Sequence, residues 1–127
     1  WNQQRRNLAA RYDDLFRRAG IAAGNTAEGI VLPYSDPRAS HVFHQYVIRA
    51  PRRDSLRRYL TDLRIGSEIY YPVPLHLQTS LASLGYRQGD FPVSEAAAEE
   101  VLALPIYPEL REDEQDAVVD AIASFYA

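Results

Sequence analysis

The fold is decided by the stretch Ile69-Tyr70-Tyr71-Pro72-Val73-Pro74-Leu75-His76-Leu77-Gln78, which lies just past the middle of the chain. The β-forming residues at 69–71 predict a short central strand. Pro72 ends that strand because it has no backbone N–H for a sheet ladder. Pro74 keeps the chain extended, since the residue before a proline is pushed away from the helical region. We therefore expect a strand that runs into a stiff loop.

This loop carries three side chains that can both donate and accept hydrogen bonds, namely Tyr70, Tyr71 and His76. A rigid loop with polar tips can hold a ligand in one orientation, which makes these residues candidates for a binding site. Packing and turn chemistry is the commoner reason for a Tyr-Tyr-Pro run at the end of a strand, so both interpretations stay open.

Upstream, residues 42–49 show the clearest strand pattern, because β-branched and aromatic residues dominate the run Val-Phe-His-Gln-Tyr-Val-Ile-Arg. Both faces of this strand are partly apolar, which favours a central position in a sheet. His44 and Gln45 lie in its middle. His41 and His44 have no cysteine or carboxylate at metal-binding spacing, so a structural role is favoured over a metal site.

Helical periodicity and β-forming runs predict the remaining elements. They are helices over residues 2–19, 53–64, 77–84, 94–103 and 111–126, and a short strand over 29–32. Gly20, Gly66 and Gly85 are expected to end the first three helices. The sequence thus predicts an α+β fold, in which helices pack a small antiparallel sheet of three or four strands.

Composition narrows the chemistry that the chain can perform. Its 127 residues suit one domain, and no apolar run reaches the length of a membrane span. Cysteine is absent, which excludes disulfides and thiolate chemistry and fits a cytoplasmic protein. All 14 basic residues are arginines, so no lysine is present to act as a base or to form a Schiff base. Methionine is also absent, even at position 1, and we therefore expect a piece of a longer chain.

The charge is unevenly distributed. Residues 1–64 hold 12 arginines against 6 acidic residues, whereas residues 65–127 hold 2 arginines against 11. A basic half could meet a phosphate-rich partner such as nucleic acid. Basic helices that face acidic ones, or water, explain the pattern more simply, because no nucleic-acid motif or aromatic-basic interleaving is present.

Four runs of the sequence, in order and with ordinary spacing, resemble the C-terminal part of the DegT/DnrJ/StrS family of sugar aminotransferases. They are WNQQRRNLAARY at 1–12, HVFHQYVIRAPRRDSLRRYL at 41–60, IYYPVPLHLQ at 69–78 and LGYRQGDFPVSEAAAEEVLALPIYPEL at 84–110. The resemblance covers nearly the whole chain. Four motifs in register are far more specific than any one of them.

The resemblance implies a single small domain over 1–127, with 1–19 as a connecting helix, like the C-terminal small domain of fold-type I aminotransferases. The whole enzyme would hold pyridoxal 5′-phosphate through a Schiff-base lysine in another domain, which this chain lacks. It would move an amino group from an amino acid, usually glutamate, to a nucleotide-linked keto-sugar. A homodimer in the cytoplasm is implied, without nucleic-acid or membrane partners. The 127 residues alone are expected to be inactive.

Five residues match family positions that bind substrate: Tyr70, Tyr71, His76, His44 and Gln45. No catalytic or metal-binding residue is carried over to this chain. Two departures from the family stand out. The usual Gly-Ile before the loop reads Arg64-Ile65-Gly66, which could shift the turn, and Arg111 replaces the usual Ser or Thr cap of the last helix, which should cost about 1 kcal/mol.

Two other function classes stay open. The chain could be a binding or interaction module that kept this domain and lost the catalysis. A weaker interpretation is an arginine-rich nucleic-acid binder.

Overall fold

The computed structural model describes residues 1–127, which form four α-helices, two 3₁₀ helices and two strands. In chain order they are α1 (Asn2–Arg18), β1 (Tyr46–Arg49), α2 (Arg53–Asp62), the 3₁₀ helices Leu75–Leu77 and Thr79–Leu84, α3 (Pro92–Glu100), β2 (Val101–Leu104) and α4 (Glu112–Tyr126). The four α-helices expected from periodicity are present, and the segment predicted as a helix over 77–84 is 3₁₀. None of the helices combines the length and the apolar composition needed to cross a membrane.

The sheet lies at the centre of the fold. Strands β1 and β2 are antiparallel, with Tyr46 opposite Leu104. A single antiparallel bridge widens the sheet on each side, from Val31 to β1 and from Glu68 to β2. The predicted α+β class with a small antiparallel sheet is confirmed. Its two regular strands are flanked by these one-bridge segments, where three or four strands were expected.

The core fills the space between the sheet and helices α1, α2 and α4. Its largest apolar side chains are fully buried: Tyr12, Phe16, Tyr46, Ile30, Ile48, Leu56, Leu60, Leu102 and Ile122. Burying a side chain of this size contributes about 1.5–3 kcal/mol. The core therefore holds α1 and α4 firmly against the sheet whose edge forms the site described below.

Two buried tyrosines join this core to its polar surroundings. The rings of Tyr12 and Tyr46 stack with centroids 4.9 Å apart. The Tyr46 hydroxyl donates to Asp13 at 2.6 Å, and the Tyr12 hydroxyl donates to the Pro105 carbonyl at 2.9 Å. Burial raises the pKa of both hydroxyls above the usual value for tyrosine, so both remain protonated donors at neutral pH.

Two strand predictions and one helix prediction are corrected by the structure. No strand forms at 69–71, because the chain pairs with Ala103 only at Glu68 and the prolines that follow remove the next donors. The strand over 42–49 is shortened to Tyr46–Arg49, since Phe43 adopts a φ of 47°. The predicted helix over 94–103 ends at Glu100, and its last residues belong to β2 because Val101 turns extended, with φ −71° and ψ 140°.

Two of the three glycines that were expected to end a helix do so. Gly20 and Gly85 lie in the left-handed region, with φ of 70° and 78°. Gly66 does not end α2; Arg64 takes the left-handed position instead, with φ 60°. The N–H of Ile65 donates to the Leu60 carbonyl at 2.9 Å, which completes a Schellman motif around Arg64.

The last helix begins at the unusual cap. The backbone N–H of Arg111 donates to the Glu114 carboxylate at 2.9 Å, which is one half of a capping box. The Arg111 guanidinium binds Asp113 at 2.9 Å. These contacts offset part of the stability that the missing Ser or Thr side chain would have supplied.

Candidate functional site

A cleft of about 310 Å³ opens where β1 begins and β2 ends. Three short segments line it, from before β1, from the approach to the proline loop and from the end of β2. The lining residues are His44, Gln45, Gly66, Ser67, Glu68, Tyr70, Ala103, Leu104, Pro105 and Ile106. The cleft thus brings together three of the five candidate residues, His44, Gln45 and Tyr70.

Backbone pairing fixes the two walls of this cleft. Glu68 and Ala103 exchange two backbone hydrogen bonds, at 3.1 and 2.7 Å. On the opposite side, β1 begins at Tyr46 directly after His44 and Gln45. The Pro105 carbonyl is held from inside the fold by the Tyr12 hydroxyl at 2.9 Å. Residues that lie far apart in the sequence are therefore held on a rigid frame, as a binding site requires.

Glu68 supplies the only charged side chain of the cleft. Its carboxylate accepts hydrogen bonds from the Arg57 guanidinium at 3.1 Å and from the Ile69 N–H at 2.9 Å. No arginine lines the cleft. A neutral group rich in hydroxyls suits such a lining, because hydroxyls can donate to the carboxylate and exchange hydrogen bonds with imidazole, amide and phenol groups. A phosphate would meet the negative charge of Glu68.

Ser67 adds an unusual feature to the cleft floor. Its hydroxyl oxygen is shielded from solvent and has no hydrogen-bond partner within the chain. Burying a polar group without a hydrogen-bond partner costs free energy, and a ligand or a water molecule that supplies the partner removes this cost.

Tyr71 lies outside the cleft. Its side chain is 73% exposed and borders a separate shallow depression beside Pro72 and Gln78. The rings of Tyr70 and Tyr71 meet edge to face, with centroids 5.9 Å apart. A ligand that fills the cleft can reach Tyr70 directly, whereas Tyr71 is free to meet a group from another direction.

His76 points into the fold and away from the cleft. Its imidazole Nε2 lies 2.8 Å from the Glu95 carboxylate, and its ring meets Phe91 edge to face at 4.8 Å. The same carboxylate accepts the backbone N–H of Gly89 at 2.9 Å. These bonds, that from Gly89 foremost, lower the pKa of Glu95. The structure thus gives His76 a bracing role between the proline loop and α3, and its binding of substrate stays a prediction.

Sequence reasoning missed Ser67, Glu68 and the wall at 103–106. The proline-stiffened run Leu104-Pro105-Ile106 was a local signal for a fixed wall. Glu68 had no such signal, because its partners Arg57 and Ala103 lie 11 and 35 residues away. No three histidine, aspartate or glutamate side chains group together in a way that could hold a metal ion.

Comparison with known proteins gives a consistent result. The model of the DegT/DnrJ/EryC1/StrS aminotransferase family matches residues 1–123. A protein of Geobacillus stearothermophilus named "Pleiotropic regulatory protein" is 47% identical over 126 residues, which are 99% of this chain and 32% of that protein. The dTDP-3-amino-3,4,6-trideoxy-alpha-D-glucose transaminase of Micromonospora megalomicea subsp. nigra is 41% identical, over 93% of this chain and 30% of the enzyme.

Solved structures agree with these relatives. The crystal structure of S. venezuelae DesV in complex with a ketimine intermediate superposes with a TM-score of 0.87 and 36% identity. The match covers 98% of this chain and 32% of DesV. The chain therefore spans about a third of the length of the relatives that it resembles.

Proposed function

The chain belongs to the DegT/DnrJ/EryC1/StrS aminotransferase family, and we propose that it is the C-terminal domain of an enzyme that transfers an amino group from glutamate to a nucleotide-linked keto-sugar. The observation that carries this proposal is the cleft, which gathers His44, Gln45 and Tyr70 around a hydrogen-bonding space without a cationic side chain. The name of the Micromonospora relative, a transaminase of a dTDP-linked sugar, supports the same substrate class.

In this proposal the cleft receives the sugar ring. The amide of Gln45 and the phenol of Tyr70 can each donate and accept, and Glu68 can only accept. Such a mixture can orient a ring by its hydroxyls, and the Glu68 carboxylate disfavours an anionic group. The cleft volume of about 310 Å³ lies at the small end of the range for ligand pockets. It suits one sugar ring better than a whole nucleotide-sugar.

The cofactor of the family, pyridoxal phosphate, supplies an electron sink for amino transfer when it is bound. The residues of the cleft do not by themselves fit this group. The chain has no lysine for a Schiff base, and the cleft has no cationic side chain to hold a phosphate. We therefore propose that cofactor binding and the proton transfers of the reaction belong mainly to the rest of a longer protein, and that this chain positions the sugar.

We further propose that the longer protein works as a homodimer in the cytoplasm. Apolar side chains around the proline loop are exposed, which supports the proposal that another protein surface covers them. They are Tyr71, Val73, Leu75, Leu84 and Val93. An apolar patch of this kind on a domain usually meets another protein surface.

A second candidate is a binding module without catalysis. It is favoured by the relative from Geobacillus stearothermophilus, whose name describes a regulatory protein and not an enzyme. Both candidates use the cleft to bind a sugar, and they differ in whether an amino group is transferred.

Amino transfer by the full-length protein separates the two. The purified protein is given glutamate and a dTDP-linked keto-sugar, and the sugar product is examined by mass spectrometry. We expect an aminated sugar and 2-oxoglutarate in equal amounts, with none when glutamate is omitted. Saturable sugar binding without any aminated product would contradict the enzyme and support the module.

A further inference from the structure

A second depression, of about 640 Å³, adjoins the cleft and is strongly basic. Its charged lining consists of Arg57, Arg58 and Arg64 against one carboxylate, that of Asp62. Gly66 and Ser67 line both the depression and the cleft, so the two spaces are neighbours. A cleft without cationic side chains and a cationic depression therefore lie side by side.

Arg64 lines the depression although its backbone conformation is unfavourable for an arginine. It occupies the left-handed position of the Schellman motif that ends α2, with φ 60°. Glycine is the usual residue there because a Cβ atom is unfavourable in this conformation. A large side chain kept at such a position points to a use for that side chain.

The guanidinium groups of the depression are only partly neutralised. Arg64 forms no ion pair, and the one side-chain partner of Arg58 is the uncharged Ser55 hydroxyl at 3.2 Å. Arg57 alone is paired, with Glu68 at 3.1 Å. A planar guanidinium group can bind two phosphate oxygens at once, so arginines are well suited to a ligand with several anionic oxygens.

We propose that this arginine depression, formed by Arg57, Arg58 and Arg64, binds the diphosphate of the nucleotide-linked sugar whose ring lies in the cleft. The proposal rests on the proposed function for the identity of the ligand. A nucleotide-linked sugar has a hydroxyl-rich ring next to a diphosphate, which matches a hydrogen-bonding cleft without cations beside a cationic depression.

The depression can be tested without the sugar or the cofactor. The 127-residue chain is titrated with inorganic pyrophosphate, and the amide signals of Gly66 and Ser67 are followed by ¹H–¹⁵N NMR. We expect saturable shifts at these amides and a dissociation constant that rises with salt, because the contacts lie near the surface. Arg64→Gln should weaken binding about fivefold, the size expected when one charge-assisted contact is lost near water.

Arg87→Gln is the matched control. Arg87 is also exposed and forms no ion pair, but it lies outside the depression. It should leave the dissociation constant within about twofold of the wild-type value, because distant surface charges are screened. If both substitutions weakened binding equally, net charge alone would explain the effect, and the proposed site would be overturned.

A second substitution guards against loss of folding. Arg64→Gly relieves the left-handed backbone, so it should raise the melting temperature by about 4 °C while weakening pyrophosphate binding as much as Arg64→Gln does. A variant that is more stable and yet binds less cannot be explained by unfolding. Unchanged binding in Arg64→Gly would overturn the proposal.

Two further probes distinguish a diphosphate from other anions. Inorganic phosphate should bind more weakly than pyrophosphate, and dTDP should lose affinity on Arg64→Gln by the same factor as pyrophosphate. Phosphate binding as tight as pyrophosphate binding would overturn the diphosphate assignment. Because these titrations need no amino transfer, a failure of the proposed enzyme activity would leave their result standing, and a failure of the titrations would leave that activity untouched.

Discussion

Two histidines of this chain, His44 and His76, were predicted from the sequence to bind substrate, and the structure gives them opposite surroundings. His76 is buried, bonded to Glu95 at 2.8 Å and packed on Phe91. His44 is exposed at the mouth of the cleft and forms no hydrogen bond within the chain. A polar side chain whose partners are already supplied by the fold stabilises the fold, whereas one left without partners is available to a ligand.

The largest expected difference between them is in stability. His76→Ala removes a buried hydrogen bond and a ring packed on Phe91, and should lower the free energy of unfolding by about 2 kcal/mol. His44→Ala changes an exposed side chain and should alter it by less than about 0.5 kcal/mol. Urea denaturation of both variants measures the difference. Equal losses would remove the distinction between the two regions.

The cleft wall offers a smaller effect. Tyr12→Phe deletes the hydroxyl that holds the Pro105 carbonyl and keeps the stacked ring, so we expect a loss of about 1 kcal/mol in the free energy of unfolding. Hydrogen exchange should quicken at the amides of Ala103, Leu104 and Ile106 and stay unchanged in the turn at 86–91. Faster exchange in both places would mean that the cleft and the His76 region are one structural unit.

The pH dependence of stability should be the smallest effect. The pKa of Glu95 is lowered from its ordinary value of 4.5, first by the N–H of Gly89 and then by His76. Its folded form therefore adds stability that is fully present above pH 4.5 and is lost as the pH falls through the lower folded pKa.

Melting temperatures from neutral pH down to the onset of acid unfolding should show this loss in the wild type and a shallower fall in Glu95→Gln. Glu109→Gln, at an exposed carboxylate without hydrogen bonds, serves as the control and should follow the wild type. Parallel curves for the wild type and Glu95→Gln would show that the carboxylate does not anchor the turn.

Much of the fold could be predicted because its causes are local. The apolar stripes of α1 and α4 repeat at helical spacing, and Gly20 and Gly85 end their helices as glycines commonly do. Strand β2 was missed since Val101–Leu104 continues the apolar pattern of α3, and only pairing with β1 makes it a strand. Local propensity could not reveal a contact between segments more than 50 residues apart.

The candidate site shows the same limit. Tyr70 was found from the proline-stiffened loop, and His44 and Gln45 through the resemblance; the structure places all three around one cleft. Glu68 and Ser67 escaped notice because their roles depend on a bridge to Ala103 and on burial. The departure at Arg64 was visible in the sequence, but its left-handed backbone and its place beside the cleft were not.

We propose that the cleft, and not the exposed tip of the proline loop, binds the sugar. If the longer protein is the proposed aminotransferase, stopped-flow absorbance can follow its half-reactions with glutamate and with the keto-sugar separately. Tyr70→Phe should lower kcat/KM for the sugar half-reaction by an amount equal to about 1–3 kcal/mol of transition-state free energy, and it should leave the glutamate half-reaction unchanged. Tyr71→Phe should affect the sugar half-reaction less. An unchanged sugar half-reaction in Tyr70→Phe, or an equal fall in both half-reactions, would contradict this proposal.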